Sequence, residues 1–161
     1  EQIDRIAAVG AIVSANPYYP VGFADKYAAH GLGPSRADAM VRSASVLKRG
    51  IPLSFHSDLP MGPAAPLTLA WCAVNRVTPS GRVAGPEQCI SVHDALRAVT
   101  IEAAYSWRME DELGTITPGK LANFTVLEAD PYAVEPARLN EIAVLGTVYD
   151  GRWFPGVTSQ G

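Results

Sequence analysis

Residues 51–58 decide the fold, and they read Ile51-Pro52-Leu53-Ser54-Phe55-His56-Ser57-Asp58. This run of large apolar side chains follows Gly50 and predicts a buried β-strand with Asp58 at its carboxyl end. Because side chains alternate along a strand, we expect Ser54, His56 and Asp58 to share one face. In α/β barrels the carboxyl ends of the strands carry the active site. The sequence therefore predicts a functional acid at this end.

Upstream lies a second apolar run, residues 11–15, which ends at Asn16-Pro17 and predicts another buried strand. A short helix precedes it and ends at Gly10. Residues 18–34 are rich in proline, glycine and aromatic side chains, and we predict a long loop with one helical turn there.

Three further helices are predicted. Ser35 caps the first, which runs to about residue 49; the second covers 67–75; Ser91 caps the third, which covers 92–105. This alternation of strands and helices indicates the α/β class with parallel strands. Two such strands cannot close a sheet, and a complete (β/α)₈ barrel takes about 250 residues. We therefore expect the chain to be a piece of a larger protein.

The residues after Trp107 have the character of antiparallel β structure. Two strand–turn–strand units are predicted, one from residues 113–116, 118–119 and 121–127, the other from residues 144–149, Asp150-Gly151 and 152–154.

Composition excludes several classes of protein. The 161 residues carry 13 basic and 16 acidic side chains, so the formal net charge is −3 and no basic stripe for nucleic acid is present. No apolar run is long enough to span a membrane, and no signal peptide is visible, so a cytoplasmic location is expected. The expected partner is a small-molecule substrate. Two cysteines are too few for a disulfide framework, and Cys72 is predicted to be a buried apolar residue.

Asp58 is the strongest candidate for chemistry. A carboxylate at a strand end can bind a divalent metal, or it can accept a proton from an activated water molecule. A plain role as a cap or turn residue before Leu59-Pro60 is about equally consistent with the sequence alone. The sequence contains no H-x-H or H-E-x-x-H pair, so this chain by itself does not supply a complete metal site.

Other polar side chains are weaker candidates. His56, Asn16 and Tyr18 are predicted to contact substrate, although a structural role for His56 and a core or lid role for Tyr18 are open alternatives. His30 and His93 are expected to be solvated. Lys120 is interpreted as a solvated lysine of a hairpin rather than as a catalytic amine.

Three segments in this order resemble the amidohydrolase superfamily of metal-dependent hydrolases: residues 55–60, 95–104 and 113–127. The resemblance extends over essentially the whole chain and is closest to the subgroup that contains N-substituted formamide deformylase and exoenzyme regulatory protein-like proteins. Asn123 departs from the pattern, because the family usually has aspartate there.

The resemblance implies that residues 1–106 are the C-terminal part of a TIM (β/α)₈ barrel, its last two strand–helix units. It also implies that residues 107–161 contribute strands to a small β-sandwich domain, which the N-terminal residues of the protein complete. Asp58 matches the family's strand-end aspartate, which binds zinc or a similar divalent metal and shuttles a proton. The remaining metal ligands are expected upstream of Glu1.

The implied activity of the full-length protein is the hydrolysis of an amide-type C–N bond by metal-activated water. The alternative is a catalytically silent regulatory or binding protein on the same scaffold. This fragment alone is expected to be inactive and without metal. Its unpaired strand edges predict self-association or pairing with the missing N-terminal part.

Overall fold

The computed structural model describes residues 1–156. In chain order the elements are α1 (Gln2–Ala8), β1 (Val13–Ala15), α2 (Tyr18–Ala29), α3 (Pro34–Asp38), α4 (Ser43–Lys48), β2 (Leu53–Phe55), α5 (Pro66–Asn75), α6 (Val92–Ala98), α7 (Ile101–Ser106), β3 (Phe124–Leu127), β4 (Val144–Tyr149) and β5 (Arg152–Pro155), with 3-10 helices at Pro86–Gln88 and Pro136–Glu141. Within residues 1–156 no helix has the length and apolar character that a membrane crossing requires.

The strands β1 and β2 form a parallel pair, in which Ser14 is opposite Ser54. All three residues of β2 are buried, and Leu53 and Phe55 belong to the main hydrophobic cluster together with residues of α5 and α6. The predicted α/β character with parallel strands is confirmed. Both strands are shorter than predicted.

The prediction of a loop over residues 18–34 is wrong, because α2 occupies most of this segment. Pro20 lies in the first turn of the helix, where a backbone N–H has no intrahelical acceptor to lose. Tyr19, Phe23 and Tyr27 follow each other at four-residue spacing, and their ring centroids are 5.6 Å and 5.9 Å apart. Contacts between neighbouring rings stabilise the helix, and they offset the loss of backbone conformational entropy at Gly22 in its interior.

Two predicted helices are each divided in two. Residues 35–49 form α3 and α4, which are separated by a break at Val41 with φ +49°. Residues 92–105 form α6 and α7, and the Thr100 hydroxyl donates to the Leu96 carbonyl at 2.7 Å beside that break. The predicted cap at Ser91 is confirmed, since Ser91 Oγ accepts from the Asp94 amide at 3.0 Å. The predicted cap at Ser35 is wrong, because Ser35 lies inside α3, which begins at Pro34 after Gly33. Helix α5 is also confirmed.

The three-stranded antiparallel sheet has the order β3–β4–β5. Its hairpin turn at Asp150-Gly151 is confirmed, with φ +48° and +74° as a tight hairpin requires. The predicted strand at 113–116 is absent from the described structure. Lys120 Nζ instead donates to the carbonyls of Glu110 and Leu113, so this lysine holds a compact loop and is not a solvated hairpin residue.

The segment between β3 and β4 packs against α5. Leu139 and Ile142 lie in the same hydrophobic cluster as Leu53 of β2. Trp71 Nε1 donates to the Ala137 carbonyl at 2.7 Å and adds a polar contact at this junction. The antiparallel sheet is thereby attached to α5, the helix that follows the segment containing Asp58.

Cys72 is 1% exposed, as predicted, and we expect its thiol to make the stability of the fold depend on pH in the alkaline range. Burial raises the pKa of this thiol from 9.0 to about 12. Because the folded pKa lies above the unfolded one, the stabilisation is complete below the unfolded pKa and disappears as the pH rises towards the folded value. We expect this thiol to lower the free energy of unfolding by roughly 1.4 kcal/mol per pH unit in that window.

Urea denaturation at about pH 8, 9.5 and 11 checks this dependence. The free energy of unfolding of Cys72→Ala should fall less steeply with pH than that of the parent protein. Cys89→Ala removes the less buried cysteine, and its free energy of unfolding should fall almost as steeply as that of the parent. Identical declines for the parent and Cys72→Ala would contradict the assignment.

Candidate active site at the carboxyl edge of the parallel strands

The carboxyl ends of β1 and β2 meet at one edge, because the two strands run in the same direction. The His56 amide donates to the Ala15 carbonyl at 3.0 Å and extends the strand pairing by one residue. Asn16 follows β1, and residues 56–58 follow β2. The predicted site residues are therefore brought to the same edge of the sheet.

Asp58 lies in a turn beyond this edge. Its φ is +55°, and its carbonyl accepts from the Met61 amide at 2.7 Å. The side chain is exposed, and within residues 1–156 no group donates a hydrogen bond to its carboxylate. The predicted shared strand face is wrong, because β2 ends at Phe55; Ser54 is buried in the strand, whereas His56 and Asp58 are exposed beyond it.

Asn16 is 4% exposed, and both of its side-chain polar atoms have partners inside the protein. Nδ2 donates to the Ser57 carbonyl at 3.2 Å, and Oδ1 accepts from the Tyr18 amide at 3.0 Å. The residue connects the end of β1 to the backbone beside Asp58.

Tyr18 reaches the far end of the same loop. Its hydroxyl donates to the Pro63 carbonyl at 3.0 Å, and its ring lies against Gly62. Burial raises the pKa of Tyr18, so the hydroxyl keeps its proton and acts as a donor at neutral pH.

The three histidines are all exposed. His56 lies at the same edge as Asp58. His30 ends α2 and is distant in sequence from this edge. His93 is hydrogen-bonded to the Tyr132 hydroxyl at 3.1 Å.

The residues at this edge can supply one ligand of a metal site, but not a complete set of ligands. In the part of the chain that the structure describes, no three His, Cys, Asp or Glu side chains lie close enough to hold a metal ion. Asp58 has the exposed carboxylate oxygens, without internal partners, that a hard divalent cation prefers. Within residues 1–156, Asp58 is thus available as a single metal ligand, and no complete ligand set is assembled around it.

The fold is of the α/β class, with an exposed aspartate in the loop that follows one of two parallel strands. The sequence model of the amidohydrolase family matches residues 1–154. The chain belongs to the amidohydrolase family.

Two curated relatives resemble nearly all of the chain. N-substituted formamide deformylase from Arthrobacter pascens is 32% identical over 150 residues, which are 93% of this chain and 28% of that protein. Protein LONG AFTER FAR-RED 3 from Arabidopsis thaliana is 32% identical over 151 residues, which are 92% of this chain and 26% of that protein. The chain thus spans little more than a quarter of the length of either relative.

A solved structure has the same fold. The crystal structure of an uncharacterized metal-dependent hydrolase from Pyrococcus horikoshii superposes with a TM-score of 0.69 and 25% identity, over 84% of this chain and 28% of that one.

Sequence reasoning missed the contacts that hold the Asp58 loop. Neither the approach of the Tyr18 ring to Gly62 nor the bonds from Asn16 and Tyr18 to loop carbonyls has a local pattern in the sequence. The one available signal was the position of Asn16 and Tyr18 directly after a strand end.

Proposed function

We propose that this chain is the C-terminal part of a metal-dependent amidohydrolase that hydrolyses an amide-type C–N bond. One observation carries the proposal: a member of this family presents an exposed carboxylate, Asp58, at the carboxyl edge of two parallel strands. In a barrel this edge is the rim at which substrates react.

Asp58 has two roles in this proposal, as a ligand of the metal and as a proton shuttle. Asp58 would be one ligand of a divalent metal, for which zinc is the first choice, and the metal when bound would activate the water nucleophile and polarise the substrate carbonyl. A carboxylate oxygen of Asp58 accepts the proton that the attacking water loses. The same oxygen then delivers it to the nitrogen of the breaking C–N bond, so that a carboxylic acid and an amine leave.

The substrate class to test first is an N-substituted formamide, because the deformylase relative bears that name. His56 is the side chain of this chain that we assign to substrate contact, since it is exposed at the same edge. Asn16 is a poor candidate for that role because its polar atoms are already bonded within the protein.

The remaining architecture is also part of the proposal. Residues 1–106 would supply the last two strand–helix units of a TIM barrel, and residues 107–161 would supply strands of a β-sandwich. Leu145, Tyr149, Trp153 and Phe154 of the antiparallel sheet are each at least 46% exposed. Such apolar area supports pairing with the rest of the protein, or self-association when the chain is alone.

Metal removal from the full-length protein tests the proposed function. We expect bound metal in the purified protein and amine release from an N-substituted formamide. Chelation should lower the rate by at least about 100-fold, and added zinc should restore it. Undiminished hydrolysis by metal-free protein would refute the metal-dependent mechanism.

A second candidate is a regulatory or binding protein without catalysis. The name of the Arabidopsis relative designates no enzyme activity, although the identity is as high as that of the deformylase. This candidate predicts that the full-length protein turns over none of a panel of formamides, cyclic amides and esters, even with zinc present. Turnover of any of them excludes it.

A further inference from the structure

The position of the Asp58 carboxylate depends on its loop. Within residues 1–156 no group donates a hydrogen bond to this carboxylate, and the strand before it already ends at Phe55. The loop of residues 57–63 therefore sets where the carboxylate points. A contact that fixes this loop also fixes Asp58.

Two side chains from the junction of β1 and α2 bind carbonyls of this loop, one at each end. Asn16 Nδ2 donates to Ser57 O at 3.2 Å, immediately before Asp58. The Tyr18 hydroxyl donates to Pro63 O at 3.0 Å, at the other end. The Tyr18 amide also donates to Asn16 Oδ1 at 3.0 Å, so the two side chains act as one unit.

The unit is anchored in the core. Asn16 is 4% exposed, and two neighbouring prolines, Pro17 between the pair and Pro20 after it, are among the largest fully buried side chains. The buried Asn16 donor restricts the loop more than a solvated donor would, because a buried donor that loses its acceptor has no water to replace it. The Tyr18–Pro63 hydrogen bond is exposed, and at that end the packing of the Tyr18 ring against Gly62 adds to the restriction.

Gly62 is required for the contact with Tyr18. A Cβ at this position would lie 2.7 Å from Tyr18 Cε2 and 3.0 Å from Ser57 O, so alanine would displace the ring. Because the φ of Gly62 is not in the left-handed region, space alone selects glycine here.

We propose that Asn16 and Tyr18 are positioning residues that hold both ends of the loop 57–63 and thereby aim the Asp58 carboxylate; this inference rests on the proposed function. Direct substrate binding by the pair is the competing role. The burial of Asn16 and the engagement of the Tyr18 hydroxyl with Pro63 favour positioning.

The test compares Tyr18→Phe with Tyr19→Phe in the full-length protein. Tyr18→Phe removes the donor to Pro63, whereas no hydrogen bond of the Tyr19 hydroxyl is found within residues 1–156. We expect Tyr18→Phe to weaken zinc affinity about ten-fold in a chelator competition. Amides of the loop should exchange about five-fold faster, and kcat should fall about ten-fold with KM changed less than two-fold. Tyr19→Phe should match the parent protein.

Asp58→Asn separates failure of this inference from failure of the proposed function. If Asp58→Asn keeps the parent's zinc affinity and kcat, the proposed function is rejected. If Asp58→Asn loses both while Tyr18→Phe keeps zinc affinity, kcat and exchange, the positioning role alone is rejected. The positioning role is also rejected if Tyr18→Phe only raises KM, or only lowers the melting temperature, while zinc affinity, kcat and amide exchange stay at the parent values. Gly62→Ala, which displaces the same ring, should reproduce the faster exchange.

Discussion

Replacing Asp58 with asparagine is expected to lower kcat of the full-length protein by about 10²–10⁴-fold. Asparagine has nearly the same size and tolerates the left-handed backbone at this position, where φ is +55°. It removes the negative charge that binds the metal in the proposed mechanism, and it replaces the basic carboxylate oxygen that accepts the proton there. The change therefore affects the chemistry and leaves the turn intact.

Asp150→Asn is the matched control for this substitution. Asp150 is also an exposed aspartate in a tight turn with positive φ, +48°, but it lies in the β4–β5 hairpin. Steady-state kinetics of both variants should show a loss only for Asp58→Asn. An equal rate for Asp58→Asn and the parent protein would be incompatible with a catalytic role.

Replacing Arg76 with methionine is expected to lower the free energy of unfolding by about 3–5 kcal/mol. Arg76 is 1% exposed and donates to four backbone carbonyls, those of Asp38, Met40, Val41 and Ala84. Burial lowers the pKa of its guanidinium, an effect that the acidic groups of Cys89, Glu87 and Asp38 oppose. Methionine fills similar space but removes the donor from four carbonyls, one in a fully buried contact and three in partly buried ones, and this accounts for the large loss.

Urea denaturation of Arg76→Met, Arg76→Lys and Arg36→Met measures this effect. Lysine keeps the charge but lacks the fork of donors that reaches several carbonyls, so most of the loss should remain. Arg36 is exposed on α3, and its replacement should change stability by less than about 0.5 kcal/mol. A loss below about 1 kcal/mol for Arg76→Met would show that the break between α3 and α4 does not depend on this residue.

Features that are encoded within a few residues could be predicted from the sequence. The Asp150-Gly151 turn, the Ser91 cap and helix α5 each have a local pattern that favours one conformation. The position of Asp58 beyond a buried strand also follows from the apolar run before it.

Features that depend on distant partners could not be predicted. The break near Val41 is stabilised by Arg76, which lies 35 residues away in sequence. The loop near Leu113 is held by a hydrogen bond from Lys120. The local sequence of this segment, taken alone, favours a strand. Helix α2 was missed because prolines and glycines signal loops, although a proline in the first turn costs a helix little.

The structure of the full-length protein with zinc, determined with anomalous scattering at the zinc absorption edge, tests the central claim most directly. We predict an Asp58 carboxylate oxygen about 2.0–2.2 Å from the metal, at the carboxyl edge of β1 and β2. Zinc held entirely by other residues, with Asp58 directed into solvent away from it, would contradict the account.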